Sequence, residues 1–389
     1  MKKDFDIAVV GAGPVGAAAA LGLAEGGYSV ALVDAQVLRL PFQPDEPYDL
    51  RVFAVSRASQ RLLERLGAWE GVAAARLSPY RHMTVWDAHG GVDFDAADVA
   101  EPDLGHIIEN HVIQAALHER LQASAVECLV PDRLERLTLE DSGAILGLAE
   151  AGRIRARLVV AADGAASPTR AMAGIGVTPV DHEQMALVAH IRSERPHQET
   201  ARQRFLETGP LAFLPLSDGR SSIVWSTTPA EAERLQSLSA EAFGRALTLA
   251  SDGVLGEVRP DTEPVAFPLC SRHADSYIGN RLVLVGDAAH TVHPLAGLGM
   301  NLGLKDVSEL LKVLERARER GNDPGERPVL RRYERARAPD NRFMLHTLDS
   351  INRLFRSETP GVDLVRGWGM RLFDRSGPIK REVIRRAMG

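Results

Sequence analysis

Two glycine-rich segments, far apart in the chain, have the residue types that bind a large phosphate-containing ligand. The first is Gly11-Ala-Gly-Pro-Val-Gly16, whose glycines follow the spacing GxGxxG. Gly11 allows a tight turn, Gly13 lets the backbone approach a pyrophosphate, and Gly16 lets a helix pack closely on a strand. The N-terminus of that helix would offer free N–H groups and a positive dipole end to phosphate oxygens.

A second segment makes the interpretation of the first as a cofactor-binding motif more specific. It reads Gly286-Asp-Ala-Ala-His-Thr-Val-His-Pro-Leu-Ala-Gly-Leu-Gly-Met-Asn301. A GxGxxG motif alone is a weak signal, but an extended cofactor with a pyrophosphate and a ring system needs both segments. Gly297 and Gly299 allow the backbone to approach a ring closely. A helix that opens near Met300 would aim its N–H groups at the pyrimidine edge of a flavin and stabilise the negative charge of its reduced form.

Short apolar runs predict the elements that position these segments. Residues 5–10 predict a buried parallel strand, residues 17–25 a helix, and residues 28–33 a second strand that ends at Asp34. Asp34 stands at the distance expected for a carboxylate that binds an adenosine ribose, and it would repel a 2′-phosphate. This arrangement suits FAD or NAD rather than NADP.

Two later runs distinguish between these cofactors. Residues 158–162 predict a strand that ends at Asp163, with Ser167 and Arg170 opening a helix, and residues 281–285 predict a strand that ends at Gly286 and Asp287. Together with the first segment, they favour FAD over NAD.

The chain resembles the single-component flavin aromatic hydroxylases of the p-hydroxybenzoate hydroxylase superfamily. The resemblance lies in the stretches GAGPVG, ADGAASPTR and GDAAHTVHPLAGLGMNLGLKD. More narrowly, the chain is similar to the ubiquinone-biosynthesis (polyprenylphenol) hydroxylases. The same similarity extends over nearly the whole chain. It is also seen in residues 49–59, 79–87, 104–110 and 213–216 and in Val224-Trp225.

The resemblance implies roles for individual residues. Arg51 and Asn110 would contact the pyrophosphate region of FAD, Asp163 would shape the dinucleotide site, and Asp287 would bind the ribityl–pyrophosphate part. The complete set of expected cofactor-binding residues is Gly11, Gly13, Pro14, Val15, Gly16, Asp34, Arg51, Asn110, Asp163, Gly286, Asp287, Pro294, Gly297, Gly299, Met300 and Asn301. Pro294, Gly297, Leu298 and Gly299 would lie beside the flavin ring, and many relatives have glutamine where Leu298 stands. No general base is assigned.

The expected fold is α/β, with a Rossmann-like FAD-binding domain of the p-hydroxybenzoate hydroxylase type. Its expected segments are 1–75, 103–178 and 270–330. Residues 76–102 and 179–269 are expected to form the substrate-binding domain. Within it, four short strands between residues 185 and 226 predict an antiparallel sheet that forms a wall of the substrate pocket. Residues 331–389 are expected to be C-terminal helices.

Composition excludes several other classes of protein. A net charge of −6 argues against nucleic-acid binding. Cys128 and Cys270 are too few for a disulfide framework and fit a reducing compartment. Glycines interrupt the apolar run 7–24, so neither an export signal nor a transmembrane helix is expected.

Isolated polar residues do not indicate other chemistry. His106, His111 and His118 lack metal-site spacing, and no metal is expected. Ser167 lies outside any GxSxG elbow. His290 and His293 are expected to position the flavin segment by local hydrogen bonds.

The resemblance implies hydroxylation of a polyprenylated phenol or quinol in ubiquinone biosynthesis through a flavin C4a-hydroperoxide, with O₂ as co-substrate. No second GxGxxG is present, so NAD(P)H or another donor would bind transiently. Three alternatives stay open: a flavin monooxygenase of small soluble phenols, an oxygen-independent FAD dehydrogenase or reductase, and a flavin-binding module without catalysis.

The basic, amphipathic segment 365–388 has two interpretations. The favoured one is a pair of helices packed on the FAD domain; the other is contact with an anionic membrane or a biosynthetic complex. The expected location is cytoplasmic, with peripheral attachment to the inner membrane face as the second role.

Overall fold

The computed structural model describes residues 3–292, 297, 299–356, 359 and 361–389. Pro294 and Leu298, both predicted to lie near the flavin, and His293 fall outside these residues. The strands are β1 (Lys3–Val10), β2 (Val30–Val33), β3 (Val52–Ser56), β4 (Ser78–Tyr80), β5 (His82–Trp86), β6 (Gly91–Asp95), β7 (Gly105–Glu109), β8 (Glu127–Leu129), β9 (Leu134–Glu140), β10 (Gly143–Leu148), β11 (Arg153–Ala161), β12 (Val177–Ser193), β13 (Thr200–Leu206), β14 (Gly209–Pro215), β15 (Ser221–Thr227), β16 (Val258–Pro260), β17 (Val265–Ala274), β18 (Ile278–Gly279), β19 (Leu282–Leu284) and β20 (His290–Thr291).

The α-helices are α1 (Pro14–Glu25), α2 (Arg57–Arg65), α3 (Trp69–Ala74), α4 (Asn110–Gln122), α5 (Pro168–Met172), α6 (Pro229–Gln236), α7 (Ala240–Ala250), α8 (Gly299–Glu319), α9 (Arg327–Phe355), α10 (Val362–Asp374) and α11 (Pro378–Met388). Two 3₁₀ turns span Ala96–Val99 and Gly286–Ala288. None of the helices, as far as the chain is described, is both long and apolar enough to cross a membrane.

The first sheet has the strand order β18-β19-β11-β1-β2-β8, with β9 and β10 attached to β11. Strands β19, β11, β1, β2 and β8 run parallel. Val10 pairs with both Val33 and Ala161, and Ala161 pairs with Leu284. The carboxyl ends of four strands therefore meet at one edge of the sheet, which is where open α/β sheets bind ligands.

Helix α1 packs against this sheet through small side chains. Pro14 occupies its first turn, where its missing N–H would be unpaired in any case, and the helix ends at Gly26. Residues 17–20 are four alanines, all fully buried in one core with Ile7 and Val9 of β1. The short side chains bring the helix close to the strands, so its N-terminus lies directly beyond the end of β1.

The second sheet confirms the predicted antiparallel wall. Its strand order is β20-β17-β12-β15-β14-β13-β5-β6, and only the β13–β5 pair is parallel. One face packs on α6 and α7 through side chains such as Leu187, Leu211 and Ile223. The opposite face, with Val188, Val224 and their neighbours, lines a cavity. A third small sheet has the order β3-β7-β4.

The exact domain limits remain predictions. Strand β17 crosses the predicted limit between residues 269 and 270, and β12 begins at Val177, before the predicted limit at residue 179.

The C-terminal segment forms the expected two helices, and they contact both predicted parts of the chain. Helix α10 packs on the β5–β6 hairpin, where Arg366 Nε lies 2.6 Å from Asp87 Oδ2. In α11, Ile384 and Met388 pack with Ala96 and Leu104, and Gly389 O accepts a hydrogen bond from Arg61 of α2. Leu104 and Arg61 belong to the predicted FAD-binding segments and Ala96 to the predicted substrate-binding part, so packing on the FAD domain alone stays a prediction.

Candidate active site

A cavity of about 1440 Å³ extends from the carboxyl edge of the parallel sheet to the second sheet and the C-terminal helices. The first residues of three helices line it: Pro14 of α1, Asn110 of α4 and Gly299 of α8. Helix N-termini carry free N–H groups and partial positive charge. The cavity is therefore suited to an anionic group near its parallel-sheet end.

The three glycines of the first motif have different surroundings. Gly11 has φ +106°, and a Cβ atom there would overlap the carbonyl oxygen of Ala162. A Cβ atom at Gly16 would overlap the carbonyl oxygen of Gly11. A Cβ atom at Gly13 would meet nothing within 4 Å, although Gly13 lines the cavity. Gly11 and Gly16 thus allow protein packing, and Gly13 leaves open space for a ligand.

Asp34 and a histidine hold the motif in place. The Asp34 carboxylate accepts hydrogen bonds from Ala12 N at 2.5 Å and Gln36 N at 2.7 Å. Arg39 N donates to His118 Nδ1 at 2.7 Å, so the ring proton is on Nε2, which donates to Ala12 O at 2.7 Å. Burial lowers the pKa of His118, in agreement with this neutral tautomer. The sequence carried no signal for this role, because His118 lies on a distant helix.

A cation and a carboxylate face each other in the cavity. Arg51 forms no ion pair among the residues that the structure describes, and its guanidinium lies 5.4 Å from the Phe53 ring centroid. Burial raises the pKa of Asp287, and the charge of Arg51 opposes that rise. Asn110 lines the same region, and its N–H donates to Arg51 O at 2.9 Å.

Asp163 shapes the loop after β11. Its carboxylate accepts hydrogen bonds from Ser167 Oγ and, at 2.9 Å, from Thr169 N. Arg170 extends across to donate to Ala288 O at 2.8 Å, which joins this loop to the 3₁₀ turn at Gly286–Ala288. Thr169 Oγ1 is buried without a described partner, and Thr169 lines the cavity.

The second glycine-rich segment is anchored by a buried carboxylate that the sequence analysis did not assign. Asp306 accepts hydrogen bonds from Gly286 N at 3.0 Å, His290 Nε2 at 2.6 Å, Arg337 Nε at 2.8 Å and Asn341 Nδ2 at 3.0 Å. His290 therefore makes the expected local hydrogen bond. Asp306 lies on α8 and two of its donors, Arg337 and Asn341, lie on α9, so the cluster fixes the Gly286 turn relative to both helices.

Asn301 links the start of α8 to β3 and α2. Its side-chain oxygen accepts from Ser56 N at 2.9 Å and Ser59 Oγ at 2.8 Å, and its nitrogen donates to Ala54 O at 2.7 Å. Gly297, with φ +59°, lies beside Ala54. The segment is thus held against the strand that follows Arg51.

The structure brings most of the predicted site residues to one cavity. Those that line it are Gly11, Gly13, Pro14, Val15, Asp34, Arg51, Asn110, Asp163, Asp287, Gly297, Gly299, Met300 and Asn301. Gly16 and Gly286 lie behind this lining, where Gly286 contacts Val15. No group of three or more metal-ligating side chains occurs in the described parts of the chain.

The far half of the cavity is mainly apolar. The second sheet contributes Ala186, Val188, Ala212, Leu214 and Val224, and α9 to α11 contribute Leu348, Phe355, Phe373, Ile384 and Met388. Tyr80 also lines it, and burial raises its pKa to about 12, so its hydroxyl stays protonated at neutral pH. This half suits an uncharged ligand with a large apolar surface.

Comparison with known proteins agrees with a cavity that has a cofactor end and an apolar end. The family model for an FAD binding domain matches residues 4–346. The chain belongs to the FAD-dependent monooxygenases. It is 40% identical over 388 residues to the 3-demethoxyubiquinol 3-hydroxylase of Escherichia coli (strain K12), covering 99% of this chain and 98% of that protein. It is also 37% identical to ubiquinone hydroxylase UbiL of Rhodospirillum rubrum, over 100% and 90% of the two chains.

Solved structures show the same fold. The p-nitrophenol 4-monooxygenase of Pseudomonas putida DLL-E4 has a TM-score of 0.79 at 20% identity, covering 100% of this chain and 99% of that one. The expected recognition, fold and cofactor are therefore confirmed, and this monooxygenase uses FAD.

The residues at the parallel-sheet end fit FAD. Gly13 leaves room for a pyrophosphate, Arg51 offers a cation without an ion pair to a described residue, and the Thr169 hydroxyl likewise has no hydrogen-bond partner among those residues. The helix N-termini at Pro14 and Asn110 add positive potential.

Proposed function

We propose that this protein hydroxylates the aromatic ring of a polyprenylated phenol or quinol in ubiquinone biosynthesis, with O₂ and a transient NAD(P)H donor. The observation that carries the proposal is the continuous cavity, whose polar end fits FAD and whose apolar end continues beneath the C-terminal helices. The named activities of the two ubiquinone-related relatives support the same chemistry.

We assign the cofactor-binding roles as follows. Gly11, Gly13 and the start of α1 hold the pyrophosphate, Asp34 lies at the adenosine ribose, and Arg51 and Asn110 contact the phosphate region. Asp163 and Asp287 shape the dinucleotide and ribityl path, and the ring is lined by Gly297, Gly299, Met300 and Asn301. FAD held by these residues would, once reduced by the donor, supply the oxygen-activating chemistry needed to hydroxylate an electron-rich ring.

The protein's own contribution is to orient the ring and exclude water. The apolar side chains of the second sheet and of α9 to α11 keep the far half of the cavity dry. The buried Asp306 cluster fixes the Gly286 turn, so that the cofactor and the substrate are held in a constant relation. A dry cavity of this kind suits a substrate with a lipid tail better than a small soluble phenol.

Tail-length dependence tests the substrate class. Donor oxidation should be stimulated far more by a prenylated phenol than by the same phenol without its tail, because the apolar half of the cavity binds only the former. Equal stimulation by both would favour the alternative, a monooxygenase of small soluble phenols. In cells, deletion of the gene should cause a prenylated precursor to accumulate, whose structure names the missing hydroxylation.

We also propose that α10 and α11 attach the protein to an anionic membrane surface. Trp368 and Val365 on α10 are 67% and 71% exposed, and both lie on one helical face. Arg375, Arg381 and Arg385 form no ion pair with any residue in the described ranges. Exposed apolar side chains beside unpaired cations are typical of interfacial helices.

Vesicle sedimentation tests this attachment. The protein should sediment with phosphatidylglycerol-containing vesicles and much less with pure phosphatidylcholine. Trp368→Ser should reduce that binding, while Leu249→Ser, a control at a 78% exposed apolar side chain on α7, should not. Equal binding by both variants would refute this surface.

A further inference from the structure

One row of side chains across the second sheet is apolar except at Gln203. Paired residues in this row, from β6 to β12, are Val92, Val85, Gln203, Ala212, Val224 and Val188. All six line the cavity. Gln203 is therefore a single amide on an apolar wall, with the small Ala212 beside it.

Strand alternation places the Gln203 side chain on the cavity face. Ala201 and Phe205, two residues away in each direction, line the cavity as well. The intervening Arg204 lies on the opposite face, where its Nη1 donates to Ala250 O at 2.7 Å. Phe205 stacks on Phe355 of α9 at 3.7 Å, which fixes this part of the strand beneath the helix.

Gln203 is largely enclosed, but its amide atoms stay accessible from the cavity and make no hydrogen bond to a described residue. The residue is 7% exposed, and its side chain makes no hydrogen bond within the described part of the chain. Gln184, on β12 of the same sheet, is the reverse case: its Nε2 donates to Thr208 O at 2.7 Å and its Oε1 accepts from Asn352 Nδ2 at 3.1 Å. An amide that lines an apolar cavity without a described protein partner is free to pair with a bound ligand.

The chemistry of the amide matches an oxygenated ring. Its oxygen accepts a hydrogen bond from a phenolic O–H, while its N–H donates to an oxygen on the neighbouring ring carbon. An apolar wall holds the ring in place without fixing its rotation, because apolar contacts have little directional preference. One directional group in that wall is enough to choose between rotated poses.

We propose that Gln203 binds the oxygen substituents of the aromatic substrate and thereby selects which ring carbon is hydroxylated. This inference rests on the proposed function, since it assumes an oxygenated ring in the apolar half of the cavity. Gln203 is a substrate-binding residue in this account, and it takes no part in proton transfer.

The test compares a ligand that can donate a hydrogen bond with one that cannot. The holoenzyme is titrated with a geranylated hydroquinone and with its dimethyl ether, and binding is followed by the change in flavin absorbance. The wild type should prefer the hydroquinone by about tenfold, the size of one net hydrogen bond. Gln203→Leu should bind the two equally, and its product should show a changed position of hydroxylation.

Gln184→Leu is the matched control, because it removes an amide that is already paired. Its Tm should fall while its preference for the hydroquinone stays as in the wild type. Gln203→Leu should keep its Tm, since no hydrogen bond to a described residue is lost and leucine matches the apolar wall.

Two outcomes would overturn the inference: a Gln203→Leu variant that keeps the wild-type preference, or one that loses as much Tm as Gln184→Leu. Failure of the proposed function looks different. In that case the wild type itself would form no hydroxylated product from either ligand, whatever the variants bind.

Discussion

Replacing Gly13 by alanine separates a cofactor-binding role from a folding role within one motif. Gly13 lines the cavity, and a Cβ atom at that position meets no protein atom within 4 Å. Gly11 is the matched control, because a Cβ atom there overlaps the Ala162 carbonyl oxygen and its φ of +106° disfavours any other residue. Gly13→Ala should therefore fold normally but bind FAD poorly, whereas Gly11→Ala should fail to fold well.

The expected effect of Gly13→Ala on folding is small. Its φ of −61° and ψ of 172° are open to alanine, so the loss of freedom in the unfolded chain stabilises the fold by about 0.4–1 kcal/mol. Gly13 is also the N-cap of α1, where alanine is worse than glycine by a similar amount. The two terms nearly cancel, and Tm of the apoprotein should change by no more than a few degrees.

The expected effect on FAD binding is much larger. A methyl group in a space that the pyrophosphate fills costs about 1–3 kcal/mol, which is typical of overpacking. That range corresponds to a Kd increase of about 5- to 150-fold. Binding is measured by flavin fluorescence during titration of the apoprotein, and folding by circular dichroism. Wild-type FAD affinity in Gly13→Ala would refute the reasoning, as would a loss of Tm equal to that of Gly11→Ala.

Three further substitutions test the surroundings of the cofactor. Asp306→Asn should lower the free energy of unfolding by about 3 kcal/mol in urea titrations, because Arg337 loses its fully buried charge partner and keeps only Asp340, whose side chain is 42% exposed. Burial raises the pKa of Asp306, but His290 and Arg337 outweigh it and lower the pKa overall, so its contribution is present above about pH 4 and is lost as the pH falls further. The stability difference between the two proteins should therefore shrink in acid, and parallel curves would contradict this. Burial lowers the pKa of His118, so folding stability should fall as the pH drops below about 6.5, and thermal scans of His118→Phe should lack that part of the pH dependence. Arg51→Gln should raise the Kd for FAD by about 10- to 100-fold, measured by fluorescence titration, and an unchanged Kd would exclude a phosphate contact.

Most of the parallel sheet and its cofactor edge could be predicted from local patterns. Apolar runs ending at Gly11, Asp34, Asp163 and Gly286 specify strands, and parallel strands bring their carboxyl ends together. The resemblance added Arg51, which has no local signal of its own. The antiparallel wall was also predictable, because alternation and turn residues mark its strands.

The side chains that support the site from distant parts of the chain could not be predicted from local sequence patterns. His118 reaches Ala12 across 106 positions of the chain, and Asp306 meets Arg337 only because α8 and α9 pack together. The surface that covers α11 could not be deduced for the same reason, since an amphipathic pattern specifies that a helix buries one face and not which surface covers it. Gln203 looks ordinary in the sequence, and its isolation depends on the register of four neighbouring strands.

Oxygen labelling of the product tests the central claim most directly. The holoenzyme is incubated with NAD(P)H, a prenylated phenol and ¹⁸O₂, and the product is examined by mass spectrometry. An FAD-dependent aromatic monooxygenase places one ¹⁸O atom in the new ring hydroxyl, and the same reaction in H₂¹⁸O with ordinary O₂ leaves it unlabelled. A product that forms without ¹⁸O from O₂ would contradict the account and point to an oxygen-independent dehydrogenase.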